Sequence, residues 1–333
     1  MNKQTSHRQY PFQSKNRYFN NPHDYPESFF FHTIPSFVSS FYQRKKRLPE
    51  NISDWIQYDE IVERSQELLI SWVGHASFLI QVGGINLLTD PIFGNASLFF
   101  PRILPPGIQL RCLPPIDVIL LSHNHRDHCD VPSLLAIQKL FPHVKILVPK
   151  GNRQWLERKR LHHVSEYNWW DSYSLANKEE KGASVECVFL PAHHWSAQGI
   201  FDWNKSLWGS WMILAKGNQR SEQTVYFAGD TAYADHFKNI GQEFSHVTTA
   251  LLPIAPGEPE NWMRKSHLNS TQAVQAFIDL NAQQFIPMHW GTFPFGRDTF
   301  LGPIERLQTA WNLLSVCPSK KLTVVKVGQQ LKI

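Results

Sequence analysis

The sequence predicts an α/β fold in which two mixed β-sheets pack together and carry helices on their outer faces. The chain has 333 residues, of which 42% are hydrophobic and 18% charged, so it can bury a large core. From Leu68 onward, short apolar runs alternate with polar turns. Hairpin-forming strands come first and are followed by strands that alternate with helices. This order is typical of two-sheet α/β architectures.

The individual elements follow from the spacing of the apolar residues. A Gly83-Gly84 pair favours a hairpin turn between the second and third strands. Apolar residues at helical spacing predict three helices, over 131–140, 271–280 and 304–314. The predicted strands are 69–73, 77–82, 85–89, 118–121, 146–148, 185–190, 225–228, 251–254, 285–288 and 322–327.

Residues 1–60 differ in composition from residues 61–333, which we assign to the main domain. The first segment is rich in Asn, Pro, Tyr and Phe, and a basic run lies at 44–47. Four of its apolar residues fall at helical spacing. They are Ile34, Phe37, Val38 and Phe41. One interpretation is a short helix that packs on or caps the main domain. The alternative is an amphipathic element that contacts anionic lipid headgroups.

Charge and cysteine content argue against several classes of function. The net charge of +5 is spread along the chain and gives no nucleic-acid-binding footprint. The four cysteines lie far apart without a C-x-x-C pair, as expected of free thiols in a reducing compartment. No apolar run approaches the ~18 residues of a membrane-spanning helix. We therefore expect a cytoplasmic protein, with any membrane contact peripheral at the inner face.

A compact group of histidines carries most of the functional information. Residues 122–128 read S-H-N-H-R-D-H and follow the predicted strand 118–121. Three imidazoles and a carboxylate would be costly in an apolar core. They are, however, normal ligands of zinc. On such a turn His123 and His125 can face one ion, while Asp127 and His128 face its neighbour.

Four ligands cannot complete two metal sites, so others must come from later strand ends. His194 follows the predicted strand 185–190, Asp230 follows 225–228, and His289 follows 285–288. Ligands gathered from several strand ends onto one rim are typical of α/β sites. The residues alone therefore predict a centre for two metal ions.

These motifs resemble the signature of the metallo-β-lactamase superfamily. The fit is closer to the branch that contains N-acyl-phosphatidylethanolamine phospholipase D and its bacterial relatives. Further pieces of the resemblance are W-V-G-H-A-S at 72–77, T-D-P at 89–91, W-W-D at 169–171, L-W-G-S-W at 207–211 and H-W-G-T at 289–292. It runs from about residue 17 to about residue 307. The implied fold is the αβ/βα sandwich of that superfamily.

The resemblance implies two zinc ions with two sets of ligands. The first set is His123, His125 and His194. The second set is Asp127, His128 and His289, with Asp230 bridging both ions. Asp127 and Asp230 are also candidate catalytic residues, because they would orient a hydroxide held between the metals.

Other residues are expected to act beside the ligands. Asp90 resembles an aspartate that accepts hydrogen bonds from metal-site histidines and fixes their tautomer. His193 is expected to line the pocket or support a ligand. His267 matches a functional histidine of the phospholipase branch, suited to hold a phosphate oxygen or protonate a leaving alkoxide. The alternative for His267 is a solvated side chain. We interpret His75 as a core or supporting residue.

The predicted function is a zinc-dependent phosphodiesterase of phospholipase D type that acts on N-acyl-phosphatidylethanolamine-like lipids. The expected partners are a phospholipid or other phosphodiester substrate, a membrane surface and a second copy of the chain in a homodimer, but no nucleic acid. A lactonase, a cyclic phosphodiesterase or a small-metabolite phosphoesterase on the same metals is the alternative. A non-catalytic metal-binding scaffold ranks lower, because all seven ligand positions are filled.

Overall fold

The computed structural model describes residues 8, 10–13, 19–21, 51–176, 184–199, 201–216 and 222–333. A small sheet pairs β1 (Phe12–Gln13) with β2 (Phe19–Asn20). Two larger sheets of seven strands each form the sandwich. The strands of the first sheet are β3 (Leu69–Gly74), β4 (Ser77–Val82), β5 (Ile85–Thr89), β6 (Val118–Leu120), β7 (Lys145–Pro149), β8 (Val164–Tyr167) and β16 (Gln330–Lys332). Their spatial order is β16-β3-β4-β5-β6-β7-β8.

The second sheet has the order β15-β14-β13-β12-β11-β10-β9. Its strands are β9 (Ser172–Ala176), β10 (Ser184–Leu190), β11 (Ser210–Lys216), β12 (Gln223–Phe227), β13 (Val247–Pro253), β14 (Ala282–Met288) and β15 (Lys321–Leu322). Both sheets are mixed, with an antiparallel part and a parallel part. The predicted fold class is therefore confirmed.

Six α-helices accompany the sheets within the described residues. They are α1 (Val131–Leu140), α2 (Arg153–Arg158), α3 (His236–Glu243), α4 (Glu260–Met263), α5 (Ser270–Asp279) and α6 (Gly302–Leu313). Short 3-10 helices lie at Ile52–Trp55 and Leu110–Cys112. Leu134 and Ile137 of α1 pack with Leu156 of α2 in a core on the outer face of the first sheet. The larger core includes both sheets and apolar residues of α3, α5 and α6. None of the described helices is long and apolar enough to cross a membrane.

Some predicted elements differ from the observed ones. The predicted strand 322–327 is wrong for most of its length, because only Lys321–Leu322 pairs with β14. Val325 and Val327 are buried, and Val327 exchanges backbone hydrogen bonds with Trp55 and Gln57 instead. Strands β8, β9 and β11 and helices α2 and α3 were not predicted. The helix predicted around residues 34–41 lies outside the described residues, and the boundary at residue 60 stays a prediction.

Strand direction determines where the loops meet. Strands β12, β13 and β14 are parallel, so their carboxyl ends share one edge of the second sheet. Strand β10 points the same way, because it and β12 are both antiparallel to β11. In the first sheet β6 is parallel to β5 and β7. The loops after β6, β10, β12 and β14 are the ones that carry the predicted ligands.

Candidate metal centre

Ligand-type side chains from the two sheets converge on one rim of the sandwich. Within the described residues, ring nitrogens and carboxylate oxygens that could hold a cation form groups with all their atoms within 4.8 Å. The predicted ligands that the structure brings together at this rim are His123, His125, Asp127, His128, His194, Asp230 and His289.

The first cluster consists of His123, His125 and His194. Nδ1 of His125 lies 2.7 Å from Nε2 of His123 and 3.2 Å from Nε2 of His194. The His123 and His194 side chains are buried. One nitrogen from each ring therefore faces a common point.

The second cluster consists of Asp127, His128 and His289. Nε2 of His128 lies 3.1 Å from Nε2 of His289. Oδ2 of Asp127 lies 3.3 Å from the His128 nitrogen and 3.7 Å from the His289 nitrogen. This cluster combines one carboxylate with two imidazoles, whereas the first cluster has imidazoles alone.

Asp230 lies between the two clusters. Its Oδ1 is 3.0 Å from Nε2 of His289, and its Oδ2 is 3.4 Å from Nε2 of His128. The same Oδ2 is 3.9 Å from Nε2 of His194, which belongs to the first cluster. A single carboxylate therefore reaches both groups of nitrogens.

The outer nitrogen of three imidazoles faces a group that can only accept a hydrogen bond. Each of these outer nitrogens must therefore carry the proton, which leaves a lone pair on the inner nitrogen of the neutral ring. The pairs are His128 Nδ1 with Asp90 Oδ2 at 2.7 Å, His289 Nδ1 with the Ala255 carbonyl at 2.9 Å, and His194 Nδ1 with the Ser266 carbonyl at 2.8 Å.

Ser122 fixes a fourth imidazole through a relay. Its hydroxyl contacts Oδ2 of Asp90 at 2.5 Å and Nδ1 of His123 at 2.9 Å. The carboxylate can only accept, so the hydroxyl donates to Asp90 and accepts the Nδ1 proton of His123. Nε2 of His123 is left with its lone pair facing His125. Sequence reasoning missed Ser122, although its position directly before His123 at the end of a strand was a usable signal.

The electrostatics of the two clusters differ. Burial lowers the pKa of His123 and of His194 well below the usual value, and it lowers the pKa of His125 to about 4. Burial alone would also lower the pKa of His128, but the carboxylates of Asp230 and Asp127 raise it well above its usual value. Because the pKa values of His123, His125 and His194 are lowered, the three imidazoles of the first cluster are neutral at pH 7.

His289 and the two carboxylates complete the second cluster's electrostatics. Burial opposes protonation of His289, yet the nearby Asp230 and Asp127 raise its pKa to about 9. Burial would raise the pKa of both carboxyl groups, but the neighbouring imidazoles hold each well below its usual value. At pH 7 the second cluster therefore pairs ionised carboxylates with protonated imidazoles, and a metal cation would take the place of the imidazole protons.

The two ligand loops meet closely because one residue lacks a side chain. Gly229 has φ +59, and a Cβ placed on it would lie 2.4 Å from Cβ of Ser122. Only glycine allows both the backbone angle and the approach. Two site residues with side chains also have positive φ values, namely Asp90 (φ 30) and His289 (φ 64). Such angles cost energy and are typical of functional sites.

The predicted supporting residues lie beside the ligands. Asp90 is fully buried, and besides His128 it accepts a hydrogen bond from the backbone N–H of Ser122 at 2.8 Å. The backbone N–H of His193 donates to Oγ1 of Thr231, and its carbonyl accepts from the N–H of Ala232. The backbone of His193 thus braces the loops that carry His194 and Asp230. The role predicted for its imidazole stays a prediction.

His267 lies at the rim of the centre. Its Nδ1 is 3.6 Å from Oδ2 of Asp230 and has no hydrogen-bond partner in the part of the chain that the structure describes, and the side chain is 16% exposed. Burial lowers its pKa to about 4, although Asp230 opposes this shift. The imidazole is therefore neutral at pH 7 and would act as a hydrogen-bonding group instead of a fixed cation.

The donor set fits transition-metal ions. Nitrogens of neutral imidazoles converge in the first cluster, and two carboxylates lie beside imidazoles in the second, an arrangement that a bound cation would stabilise. Among the described residues, Oδ1 of Asp230 and Nε2 of His125 are buried and have no hydrogen-bond partner. Imidazole nitrogen and carboxylate oxygen together suit zinc, iron and related ions. The centre is compatible with two metals, one for each cluster, with Asp230 between them.

Comparison with known proteins agrees with this geometry. A family model described as the beta-lactamase superfamily domain matches residues 85–290, which is more than half of the chain. This range includes all seven predicted ligands.

Two curated relatives are similar to this chain over most of its length. A Caenorhabditis elegans protein named N-acyl-phosphatidylethanolamine-hydrolyzing phospholipase D 1 is 31% identical over 79% of this chain and 75% of its own length. A Saccharomyces cerevisiae protein, named as the mitochondrial form of this phospholipase, is 32% identical over 72% of this chain. The match spans 50% of the yeast protein's length.

Solved structures share the fold at lower identity. Igni18, a metallo hydrolase from the archaeon Ignicoccus hospitalis, superposes with a TM-score of 0.58 and 22% identity. The superposition covers 80% of this chain and 98% of Igni18. At this identity the similarity supports the fold alone.

Proposed function

The chain belongs to the metallo-β-lactamase superfamily, in the branch of the N-acyl-phosphatidylethanolamine-hydrolysing phospholipases D, and from this we propose its reaction. The fold is that of metal-dependent hydrolases. We propose that the protein is a two-zinc phosphodiesterase of phospholipase D type. Its substrate would be an N-acyl-phosphatidylethanolamine-like lipid, cleaved on the headgroup side of the phosphate to give phosphatidic acid and an N-acylethanolamine-like alcohol.

The observation that carries this proposal is the carboxylate shared between two clusters. Asp230 lies within 3.0 Å of His289 and 3.9 Å of His194, so two ions could sit side by side at one substrate phosphate. When bound, such a pair of metals activates water near neutral pH and neutralises charge on phosphate oxygens. Zinc is the proposed ion, since imidazole nitrogen and carboxylate oxygen are normal zinc ligands.

The chain's own residues would hold and orient the reacting groups. The carboxylates of Asp127 and Asp230 accept hydrogen bonds, so they can orient a water molecule for in-line attack on phosphorus. The outer nitrogens of His123, His128, His194 and His289 each have a hydrogen-bond acceptor, which leaves their inner nitrogens for the metal ions. The surrounding aromatic residues limit access of bulk water: Trp195 lies 4.0 Å from the His125 ring, and Phe293 lies 4.9 Å from the His75 ring, as measured between ring centroids.

His267 would act on the phosphate or the leaving group. It lies beside Asp230 and is partly exposed, and one of its ring nitrogens has no partner among the described residues. A neutral imidazole there can donate to a phosphate oxygen. An approaching phosphate anion would also raise its pKa, which makes proton donation to the leaving alkoxide easier.

A hydrolysis screen tests the reaction class. Purified protein loaded with zinc would be assayed on N-acylated phospholipids, ordinary phospholipids, lactones and cyclic nucleotides, after its metal content has been measured by elemental analysis. We expect about two zinc ions per chain and preferential release of phosphatidic acid from the N-acylated lipid. If only lactones or cyclic nucleotides are hydrolysed, the metal centre serves one of the alternative hydrolase functions. Protein that binds metal but hydrolyses none of these substrates would favour the scaffold hypothesis, and protein that binds no metal would contradict the proposed reaction.

We further propose that the enzyme contacts a membrane surface peripherally. The two most exposed large hydrophobic side chains among the described residues are Leu98 and Phe201, at 95% and 83%. Leu98 lies on a loop whose Phe100 ring is 4.9 Å from Phe295, beside the second cluster. Apolar side chains next to the metals would insert at a lipid interface.

The loop of Phe201 flanks the first cluster. Its two ends are joined by a hydrogen bond from the N–H of Asn204 to the carbonyl of Ser196, and Arg126 donates to the carbonyl of Gln198. Arg126 is exposed and lies between two predicted ligands, so a positive charge accompanies the apolar tip. This combination suits an anionic bilayer.

Vesicle binding tests the membrane contact separately from catalysis. Leu98→Ser combined with Phe201→Ser should reduce co-sedimentation with anionic vesicles that contain no substrate. Leu313→Ser is the matched control, because Leu313 is 77% exposed at the end of α6, on another element. The basic run 44–47 lies outside the described residues, and replacing it with Gln tests the same contact for the N-terminal segment. Unchanged vesicle binding in both sets would contradict the membrane proposal but not the proposed chemistry.

A further inference from the structure

The predicted ligands are not the only buried imidazoles at the centre. His75 lies in the tight turn between β3 and β4, and its side chain is 1% exposed. Its ring centroid lies 3.9 Å from that of His289 and 5.1 Å from that of His128. Nε2 of His75 is 2.9 Å from Oδ2 of Asp127. His75 therefore joins the second cluster as a fourth member of the same group of atoms.

The proton on this nitrogen distinguishes a ligand from a supporting residue. The Asp127 carboxylate can only accept, so a hydrogen bond at 2.9 Å requires that Nε2 of His75 carries the proton. A protonated ring nitrogen has no lone pair for a metal ion. The four imidazoles described above, of which His123 acts through Ser122, turn their protons outward, whereas His75 directs its proton inward to a carboxylate.

The backbone of His75 is held from three directions. Its N–H donates to Oγ1 of Thr292 at 2.7 Å, and its carbonyl accepts from Nε1 of Trp72 at 2.9 Å. The N–H of His289 donates to the same carbonyl at 3.2 Å. With a φ of 55, the turn places the imidazole between the second cluster and the rings of Phe293 and Phe295. The ring therefore has little freedom to move away from Asp127.

We propose that His75 is a positioning residue that fixes the Asp127 carboxylate for the metal ion of the second cluster. The hydrogen bond sets the rotation of the carboxylate by holding Oδ2, the same oxygen that lies 3.3 Å from Nε2 of His128, so that its remaining lone pair is available to the ion. An imidazole can do this without a formal charge, so the carboxylate keeps its negative charge for the metal. Groups that orient a ligand in this way typically contribute a factor of about 10–100 in metal affinity.

The proposal rests on the proposed function only in taking the second cluster as a metal site. The test compares His75→Phe, which keeps a ring but removes the donor, with His75→Gln, whose amide can still donate to Asp127. Zinc affinities for the two sites would be measured by competition with a chromophoric chelator on the full chain. We expect His75→Phe to weaken the second ion about 10–100-fold and leave the first unchanged. His75→Gln should recover most of the loss.

A control separates positioning from general support of the turn. Trp72→Phe removes the hydrogen bond to the His75 carbonyl but leaves the imidazole in place, so it should lower the melting temperature without weakening the second ion. If His75→Phe does not fold, His75→Met supplies a donor-free side chain of adaptable shape.

Each remaining outcome contradicts the positioning role. Equal weakening by the Phe and Gln variants would show a structural role. Loss of one zinc equivalent at saturating metal in His75→Gln would make His75 a ligand. Wild-type affinity in the Phe variant would show that Asp127 needs no such support. Wild-type protein that binds no metal would contradict the proposed function itself, which is a different result.

Discussion

The two halves of the metal centre are built from different chemistry. The first cluster has three neutral imidazoles whose pKa values are lowered by burial. The second cluster has imidazoles whose pKa values are raised, because the carboxylates of Asp127 and Asp230 lie beside them. A cation therefore finds lone pairs ready in the first half, but must displace protons in the second. The two ions should thus differ in pH dependence, although they lie next to each other.

The shared carboxylate gives the largest expected effect. Asp230→Asn removes the negative charge that reaches both clusters, so we expect activity to fall to background and zinc content to fall for both ions. His128→Ala should also abolish activity but should retain the ion of the first cluster. Elemental analysis of the two variants checks this difference. If Asp230→Asn keeps two ions, the two halves do not depend on a common bridge.

His267 gives the next largest effect. We expect His267→Ala to lower turnover by about 10²–10⁴, the usual range for loss of an acid–base group. Its zinc content should stay at the wild-type value, because its Nδ1 lies 3.6 Å from Asp230 and outside both clusters. Steady-state kinetics measure the turnover of this variant, and elemental analysis measures its zinc content. A loss of zinc would make His267 a ligand, and near-normal turnover would make it a solvated residue.

The difference in protonation predicts different proton release for the two ions. At pH 7 the first cluster has no protons to release, whereas His289, with a pKa of about 9, still holds one. Affinity at the second cluster should therefore fall about tenfold per unit of decreasing pH for each displaced proton, throughout the range below pH 9.

Calorimetry in buffers of different ionisation enthalpy measures this release. His194→Ala leaves the second cluster for study, and His289→Ala leaves the first. We expect at least one proton released per ion in the former and close to none in the latter. Equal proton release would remove the proposed contrast between the clusters.

The smallest expected effect concerns Ser122 and Asp90, the residues that fix the imidazole tautomers. Ser122→Ala removes the acceptor of the His123 proton, so the ion of the first cluster should bind about tenfold more weakly. The second ion should be spared, because His128 donates directly to Asp90. Asp90→Asn should weaken both ions, since Asp90 contacts His128 and Ser122 alike. The chelator competition assay resolves both cases.

Much of the centre was predictable because its side chains occupy strand ends in recognisable order. The motif at 122–128 and the residues after β10, β12 and β14 identified the candidate set before any geometry was known. The groups that fix the tautomers were harder to find. The carbonyls of Ala255 and Ser266 have no signature in sequence, since every residue has one, and only folding brings them to the imidazoles.

The fold was predictable to a similar degree, with failures at its edges. Strand β9 alternates exposed and half-buried residues, so its apolar signal is weak. Helix α3 includes Gly241, which weakens helical propensity. Glycine is required there by the packing between helices, because a Cβ at position 241 would lie 2.1 Å from the carbonyl oxygen of Asp279 in α5. Such packing requirements cannot be read from local spacing.

The side chain of Asn21 affects how the chain could be shortened. Its amide donates to the His194 carbonyl at 2.8 Å and accepts from the His194 N–H at 3.1 Å. Nε1 of Trp208 donates to the same amide oxygen, and the nearby Phe19 is buried. Asn21, which is far from the histidine motifs in sequence, thus holds the backbone of His194, a predicted ligand of the first cluster, through two hydrogen bonds. Removing the first 50 residues would remove these hydrogen bonds to His194. A shortened protein should therefore bind metal less tightly even with every predicted ligand intact.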